Sequence, residues 1–309
     1  MGAEADYFDH GVDCNSVVAR PWDKPEHLHP TNYVLSQSVD FLRRRDPRKP
    51  FFLFTSFHRP HPPYDPPAWA FEMYLDCPMP DPPVGDWVDI FAPYADPGRP
   101  DGFVGPIDPR VLRRARAGYY GHMTHIDHQI NRLLEALAEY GLRDETWVCF
   151  VSDHGEMLGD HHLFRKGYPY EGSARVPLIL HGPAGSGVRP GLVCDPVVEL
   201  RDVMPTLLDC AGLPVPETVE GRSFLPFARG ETCDWRAHLH GEHTLFGQSI
   251  QWVTDGREKY VWFSGTGCEQ LFDLGDDPHE MHDLARDPAA ADRIARWRQV
   301  LIQEVGSRK

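Results

Sequence analysis

The residues best suited to chemistry fall in one short stretch, Ser152-Asp153-His154-Gly155-Glu156-Met157-Leu158-Gly159-Asp160-His161-His162-Leu163-Phe164-Arg165-Lys166-Gly167. Asp153 and His154 put a carboxylate beside an imidazole, directly after the apolar run at residues 146–151. Gly155 allows a sharp turn, so both side chains can face one site. Such a pair suits a divalent cation: oxygen ligands favour Ca²⁺, Mg²⁺ or Mn²⁺, and a histidine also admits Zn²⁺. Arg165 and Lys166 follow shortly after the acidic residues, and Lys166 can swing back to meet an anion held by the metal. Each residue also has a plainer reading: Asp153 as a turn cap, His154 as a hydrogen-bonded loop histidine, Lys166 and Arg165 as solvated charges. His122, His125 and His128 fall at helical spacing on an amphipathic segment and read as packing residues, not zinc ligands.

Elements must hold these groups in place. Residues 31–46 show helical periodicity and stop at Pro50. Residues 51–57, Phe-Phe-Leu-Phe-Thr-Ser-Phe, form a continuous apolar run that predicts a strand buried on both faces. The proline-rich, aromatic-rich stretch from residue 59 to about 109 predicts a long functional loop without elements of its own. Asp108-Pro109 predicts a helix start, with Ala115, Tyr119, Met123, Ile126, Ile130, Leu133 and Leu137 on the stripe that would cover a sheet. Residues 146–151 and 176–180 predict two more buried strands, and 200–211 a helix closed by Gly212. Strand and helix in alternation predict an α/β fold with a mostly parallel mixed sheet flanked by helices. In such a sheet ligands gather beyond the carboxyl ends of the strands, where Asp153 and His154 lie. After residue 228 short alternating runs at 250–254, 259–263 and 269–273 predict a small antiparallel sheet, followed by a helix over 287–305. The expected division is a domain at 1–228 and a C-terminal subdomain at 229–309.

Composition limits the partners. The 309 residues carry a formal charge of -15, which repels nucleic acid and obliges any anionic substrate to meet a local cluster of positive charge. No apolar leader or membrane-length run is visible, so the expectation for the chain as written is a soluble cytoplasmic protein with no membrane partner. The seven cysteines, Cys14, Cys77, Cys149, Cys194, Cys210, Cys233 and Cys268, form no CxxC pair, and most read as small buried hydrophobes in a reducing compartment.

The stretch from Ser152 to Gly167 closely resembles the second signature region of sulfatases, members of the alkaline-phosphatase-like superfamily that also holds phosphonate monoester hydrolases. The segment Phe57-His58-Arg59-Pro60-His61-Pro62-Pro63 resembles the family's strand-end histidine, with His61 in the matching place. Tyr170 to Leu178, Leu200 to Asp209, Gly212-Leu213-Pro214, Gly221-Arg222-Ser223, Gly256 to Tyr260 and Glu269 to Leu274 continue the likeness in the family's order. The resemblance implies a hydrolase acting on a small-molecule sulfate ester, with Asp153 and His154 as ligands of a divalent metal, most simply Ca²⁺. It implies that Lys166 and His61 contact the sulfate or the leaving-group oxygen. Arg59, Arg165 and His243 are weaker expectations for the substrate side. A phosphodiesterase or phosphonate monoester hydrolase is the same-fold alternative, and a non-catalytic anion-binding protein the alternative outside catalysis.

One family feature has no counterpart. No Cys or Ser stands in a C/S-x-P-x-R motif, so no nucleophile is identified: Cys14 precedes Asn-Ser-Val, Cys77 precedes Pro-Met-Pro and Cys194 precedes Asp-Pro-Val. The family's paired aspartates after the first strand are not found either. The expectation is therefore a chain lacking the family's N-terminal part, completed by a missing N-terminal segment or acting as a homo-oligomer. A natural start further upstream would make a periplasmic or secreted location equally consistent.

Overall fold

The computed structural model describes residues 14–96 and 99–307. They form two compact units, one from residues 14–82 together with 95–96 and 99–146, the other from 83–94 together with 147–307.

In the first unit, helix formation follows the caps. His29 Nδ1 accepts the Thr31 N–H and opens α1 (Pro30–Arg44), with proline at the first helical position. Asp108 accepts from the Arg110 N–H at 2.7 Å and opens α3 (Pro109–Glu139), again with proline first. Between them lies α2 (Ala68–Leu75), inside the stretch expected to be loop. Its sequence, AWAFEMYL, is apolar nearly throughout and starts after Pro67 without a side-chain cap, so neither periodicity nor capping advertises it. α1 and α2 both pack on α3, burying Leu35, Leu42, Ala70, Phe71, Ala115 and Ile126. The stripe of α3 therefore covers helices, where the pattern alone predicts a sheet.

Residues 51–57 join no ladder among the described residues. Phe52 and Phe54 are 73% and 76% exposed, the reverse of the expected two-sided burial. An apolar run supplies side chains for a buried strand; a strand also needs neighbours that take its N–H and C=O groups.

The second unit holds β1 (Val148–Val151) and β2 (Leu178–His181), paired with Val148 opposite His181 and Val151 opposite Leu178. This pairing is antiparallel, as are all ladders between the named strands; the isolated bridge Ala19–Tyr64 is parallel. The class remains mixed α/β, but the expected parallel sheet is not what these strands form. A continuous apolar run looks the same whichever way its neighbour points, so direction is not legible in it. The short helix α4 (Glu171–Ala174) precedes β2; α5 (Val203–Cys210) and α6 (Leu225–Ala228) follow it.

The chain then builds a meander of β3 (Leu239–Leu245), β4 (Gln248–Thr254), β5 (Glu258–Phe263) and β6 (Glu269–Asp273), in that order and antiparallel throughout. The final helix α7 (Ala291–Ser307) lays Ile294, Trp297 and Leu301 on Val253, Tyr260 and Leu271 of this sheet. β4 to β6 match the predicted runs. β3 escaped because LHGEHTL, an edge strand exposed at its centre, lacks an apolar alternation. No helix among the described residues is long and apolar enough to cross a membrane.

Candidate functional site

β1 ends at Val151 and delivers Asp153 and His154 into a turn fixed mainly by backbone bonds. Ser152 Oγ donates to His154 O at 2.7 Å, and the Gly155 N–H donates to Ser173 O at 2.8 Å. A Cβ on Gly155 would lie 2.2 Å from Gly172 O, so only glycine lets the chain pass this close to the segment entering α4. The Asp153 carboxylate is largely exposed and accepts from the His154 N–H at 3.0 Å. His154 Nδ1 meets Gly155 O at 2.8 Å; a carbonyl only accepts, so Nδ1 carries the proton and Nε2 keeps its lone pair. That Nε2 lies 3.7 Å from Asp153 Oδ2. Two electron-pair donors facing each other at this separation, one oriented through its second nitrogen, are the donor set a divalent cation takes up. The two residues therefore fit the metal that the motif implies.

From Glu156 to Gly167 the chain makes a tight loop that ends on Lys166. The loop closes through Met157 N to Arg165 O and Gly159 N to Leu163 O, both 2.9 Å. Leu158, His161, His162 and Arg165 all adopt positive φ, between 49° and 68°. Glu156 stabilises this conformation: its Oε1 accepts from Leu158 N at 3.2 Å and from Arg165 N at 2.5 Å. Burial pushes its carboxyl above the ordinary range, opposed by those two N–H bonds and by Lys166 and His154. On the other side of Lys166, Ser173 Oγ accepts from Gly167 N at 3.1 Å and from Tyr168 N at 3.3 Å. The half-buried Lys166 is thus carried on main chain held by Glu156 before it and Ser173 after it. Neither residue was picked out from sequence, because a glutamate and a serine inside a motif do not announce which backbone groups they hold.

His161 anchors the loop differently. It is buried, accepts from Gly85 N at 3.1 Å through Nδ1, and tilts against Trp87 at 4.6 Å. Burial lowers its pKa to about 4, so it is neutral at pH 7.

His243 stands on β3, exposed, with its Nε2 only 2.8 Å from where a Cβ of Gly167 would be. The second unit therefore brings His243 to the residue after Lys166. Arg165 is half-buried.

In the first unit, His61 is half-buried, stacks on His58 at 4.9 Å and holds Pro62 O through Nδ1 at 2.7 Å. Arg59 is 2% exposed and donates to both oxygens of Asp65, at 2.8 and 2.9 Å. This fork-to-carboxylate pair makes Arg59 a brace of the turn. His122 and His125 are buried where α3 meets α1, while His128 is exposed and stacks on Trp69.

His29, Asp65 and His122 each offer a ligand atom within 4.8 Å of the others. Their chemistry points away from a metal. His29 Nδ1 accepts the Thr31 N–H, which puts the proton on Nε2. Asp65 accepts from Arg59 on both oxygens, and His122 Nε2 already faces Pro63 O, the Asp65 N–H and Asp65 Oδ1. Burial lowers His29 to about 2 and His125 to about 4, so the cluster is neutral imidazole around one ion pair.

A model of the sulfatase family matches residues 2–213, and one for the C-terminal region of N-sulphoglucosamine sulphohydrolase matches 159–306. Over 311 residues the chain is 48% identical to an arylsulfatase of Clostridium perfringens, a match covering 100% of this chain and 64% of the relative. It is 31% identical to a choline-sulfatase of Rhizobium meliloti, with 93% and 57% covered. Among solved structures, a phosphonate monoester hydrolase from Silicibacter pomeroyi superposes with a TM-score of 0.80 at 29% identity, covering 98% of this chain and 66% of that one. The chain thus spans somewhat under two thirds of the length of these relatives. With the strand-end pair, the loop carrying Lys166 and the family match over most of its length, the chain belongs to the sulfatase family.

Proposed function

We propose that this chain carries the metal- and anion-gripping half of a hydrolytic site for an organic sulfate monoester. The observation that carries the reading is the pairing of His154 Nε2 with Asp153 Oδ2 at 3.7 Å, with His154 Nδ1 tied back to Gly155 O. Asp153 and His154 would hold a divalent cation, most simply Ca²⁺, with Mg²⁺ or Mn²⁺ as the other hard choices. When bound, such an ion supplies Lewis-acid stabilisation of charge on the sulfuryl oxygens. Lys166, on its doubly held loop, places an ammonium against the same anion. His61 takes the role of proton donor to the departing oxygen, on the strength of its motif.

Hard cations want six or more ligands, and two protein groups supply only part of that shell. Isothermal titration of the chain with Ca²⁺ should therefore give weak binding, with Kd above roughly 0.1 mM, abolished in Asp153→Asn. Binding untouched by that substitution would overturn the metal assignment. With no C/S-x-P-x-R nucleophile in the sequence, 4-nitrophenyl sulfate should bind in a Lys166-dependent way and turn over little. The superposition on a phosphonate monoester hydrolase favours one second reading, a phosphonate or phosphate ester ligand. Tighter binding of phenylphosphonate than of phenyl sulfate would select it.

A further inference from the structure

We propose that Ser173 is the positioning residue of this site, setting the span between the Asp153–His154 turn and Lys166. The inference rests on the reading of that turn as a cation site and of Lys166 as the grip on the anion. Its basis is that Ser173 is bonded to both. The Ser173 carbonyl accepts the Gly155 N–H at 2.8 Å, at the end of the turn that carries the carboxylate and the imidazole. The Ser173 hydroxyl accepts the Gly167 N–H at 3.1 Å and the Tyr168 N–H at 3.3 Å, directly after Lys166. Packing repeats the pattern. A Cβ on Gly155 would lie 2.2 Å from Gly172 O and 3.2 Å from Ser173 O, and a Cβ on Gly172 would lie 3.2 Å from Met157 Sδ. Turn and loop thus both press on residues 172 and 173, which leaves little slack for either to shift alone.

Ser173 is itself fixed from outside the loop. It is buried in α4, where the Glu171 N–H donates to Glu280 Oε2 at 2.7 Å and the buried Lys259 ammonium to Glu171 Oε1 at 2.7 Å. Tyr170, just before α4, donates its hydroxyl to Gln270 Oε1 at 2.7 Å. Lys259 stands on β5, Gln270 on β6 and Glu280 beyond it, so the C-terminal meander braces α4 independently of the loop that Ser173 holds. The charges of Lys166 and His154 both reach the buried Glu156 carboxyl, so the two sides of the site stand around one group. An anion that bridges a cation on Asp153 and His154 to the Lys166 ammonium binds best when that span is set in advance, because ordering a loop on binding costs affinity.

The test is isothermal titration of the full chain with Ca²⁺ and, in the presence of Ca²⁺, with 4-nitrophenyl sulfate. Ser173→Ala removes the hydroxyl and keeps the carbonyl. It should leave Ca²⁺ affinity at the parent value, which also reports an intact fold, and weaken ester binding about ten-fold. Ser173→Thr keeps the hydroxyl and should recover most of the lost affinity. The decisive comparison is the same serine change in a Lys166→Ala background, where it should alter ester affinity by less than about two-fold, because a residue that acts through the lysine has nothing left to position. An equal loss in both backgrounds, loss of Ca²⁺ binding in Ser173→Ala, or an equal loss in the alanine and threonine variants would mark a general loosening and overturn the proposal. Parent ester affinity in Ser173→Ala, with Lys166 dependence retained, overturns the role of Ser173 alone. Ester binding indifferent to Lys166→Ala overturns the anion reading itself, and the role of Ser173 with it.

Discussion

At the scale of single residues, Glu156 carries more of the site than its chemistry suggests. It touches no ligand group, yet it satisfies two N–H groups of a loop rich in left-handed residues. Glu156→Ala should lose about 2–4 kcal/mol in urea unfolding, two backbone donors being left without a partner. Glu156→Gln keeps an acceptor oxygen and should recover more than half of that; equal losses in the two variants would show that the hydrogen bonds are not what matters. The buried imidazoles give a second residue-scale expectation. His125 and His161 are lowered from 6.5 to about 4, each chiefly by burial. The unfolded chain therefore binds protons that the folded one refuses, so their contribution is complete above about pH 6.5 and shrinks as pH falls toward 4. Each costs about 1.4 kcal/mol per pH unit within that window. Urea midpoints should drop between pH 7.5 and 5.5, and His125→Phe should flatten the slope; a midpoint constant over this range would contradict the assignment.

At the scale of elements, the second unit is tied together by one buried cation. Lys259 on β5 is 1% exposed and donates to Glu171 at the start of α4 at 2.7 Å and to Glu280 at 2.8 Å. Glu280 in turn accepts from the Glu171 N–H through its other oxygen at 2.7 Å. Both carboxylates hold Lys259 in its charged form against the cost of burial. Lys259→Met leaves Glu280 buried without its counter-charge and should cost about 3–5 kcal/mol. Lys259→Met combined with Glu280→Leu should restore much of the loss, since an apolar pair needs no partner. A double variant as unstable as the single one would show that the ion pair itself is the stabilising element. α4 also carries Ser173, so the same lock fixes one of the two groups that hold the loop around Lys166.

At the scale of the molecule, the apolar surface is unevenly covered. Phe52 and Phe54 on an unladdered segment, and Ile179 on β2 at 60%, are exposed far beyond what scattered surface residues require. Light scattering should show a mass that grows with protein concentration, and Phe52→Ser with Phe54→Ser should reduce it. Concentration-independent mass in the parent chain would refute this expectation.

The sequence by itself determined what each segment could offer. The Asp153-His154 pair, the Lys166 loop, the cap at Asp108 and the alternation in β4 to β6 are local properties, set by neighbours a few residues away, and local patterns are legible in a string. Partnership across the chain is not. Phe51 to Phe57 read as a buried strand because the side chains suit one, while burial depends on what lies alongside. β1 and β2 read as parallel because an apolar run carries no direction. The partner of Arg59, Asp65, and the place of His243 beside Gly167 appear only in the folded chain. Only the tertiary structure decided those pairings, because each depends on a contact between residues distant in sequence, and no local pattern specifies its partner.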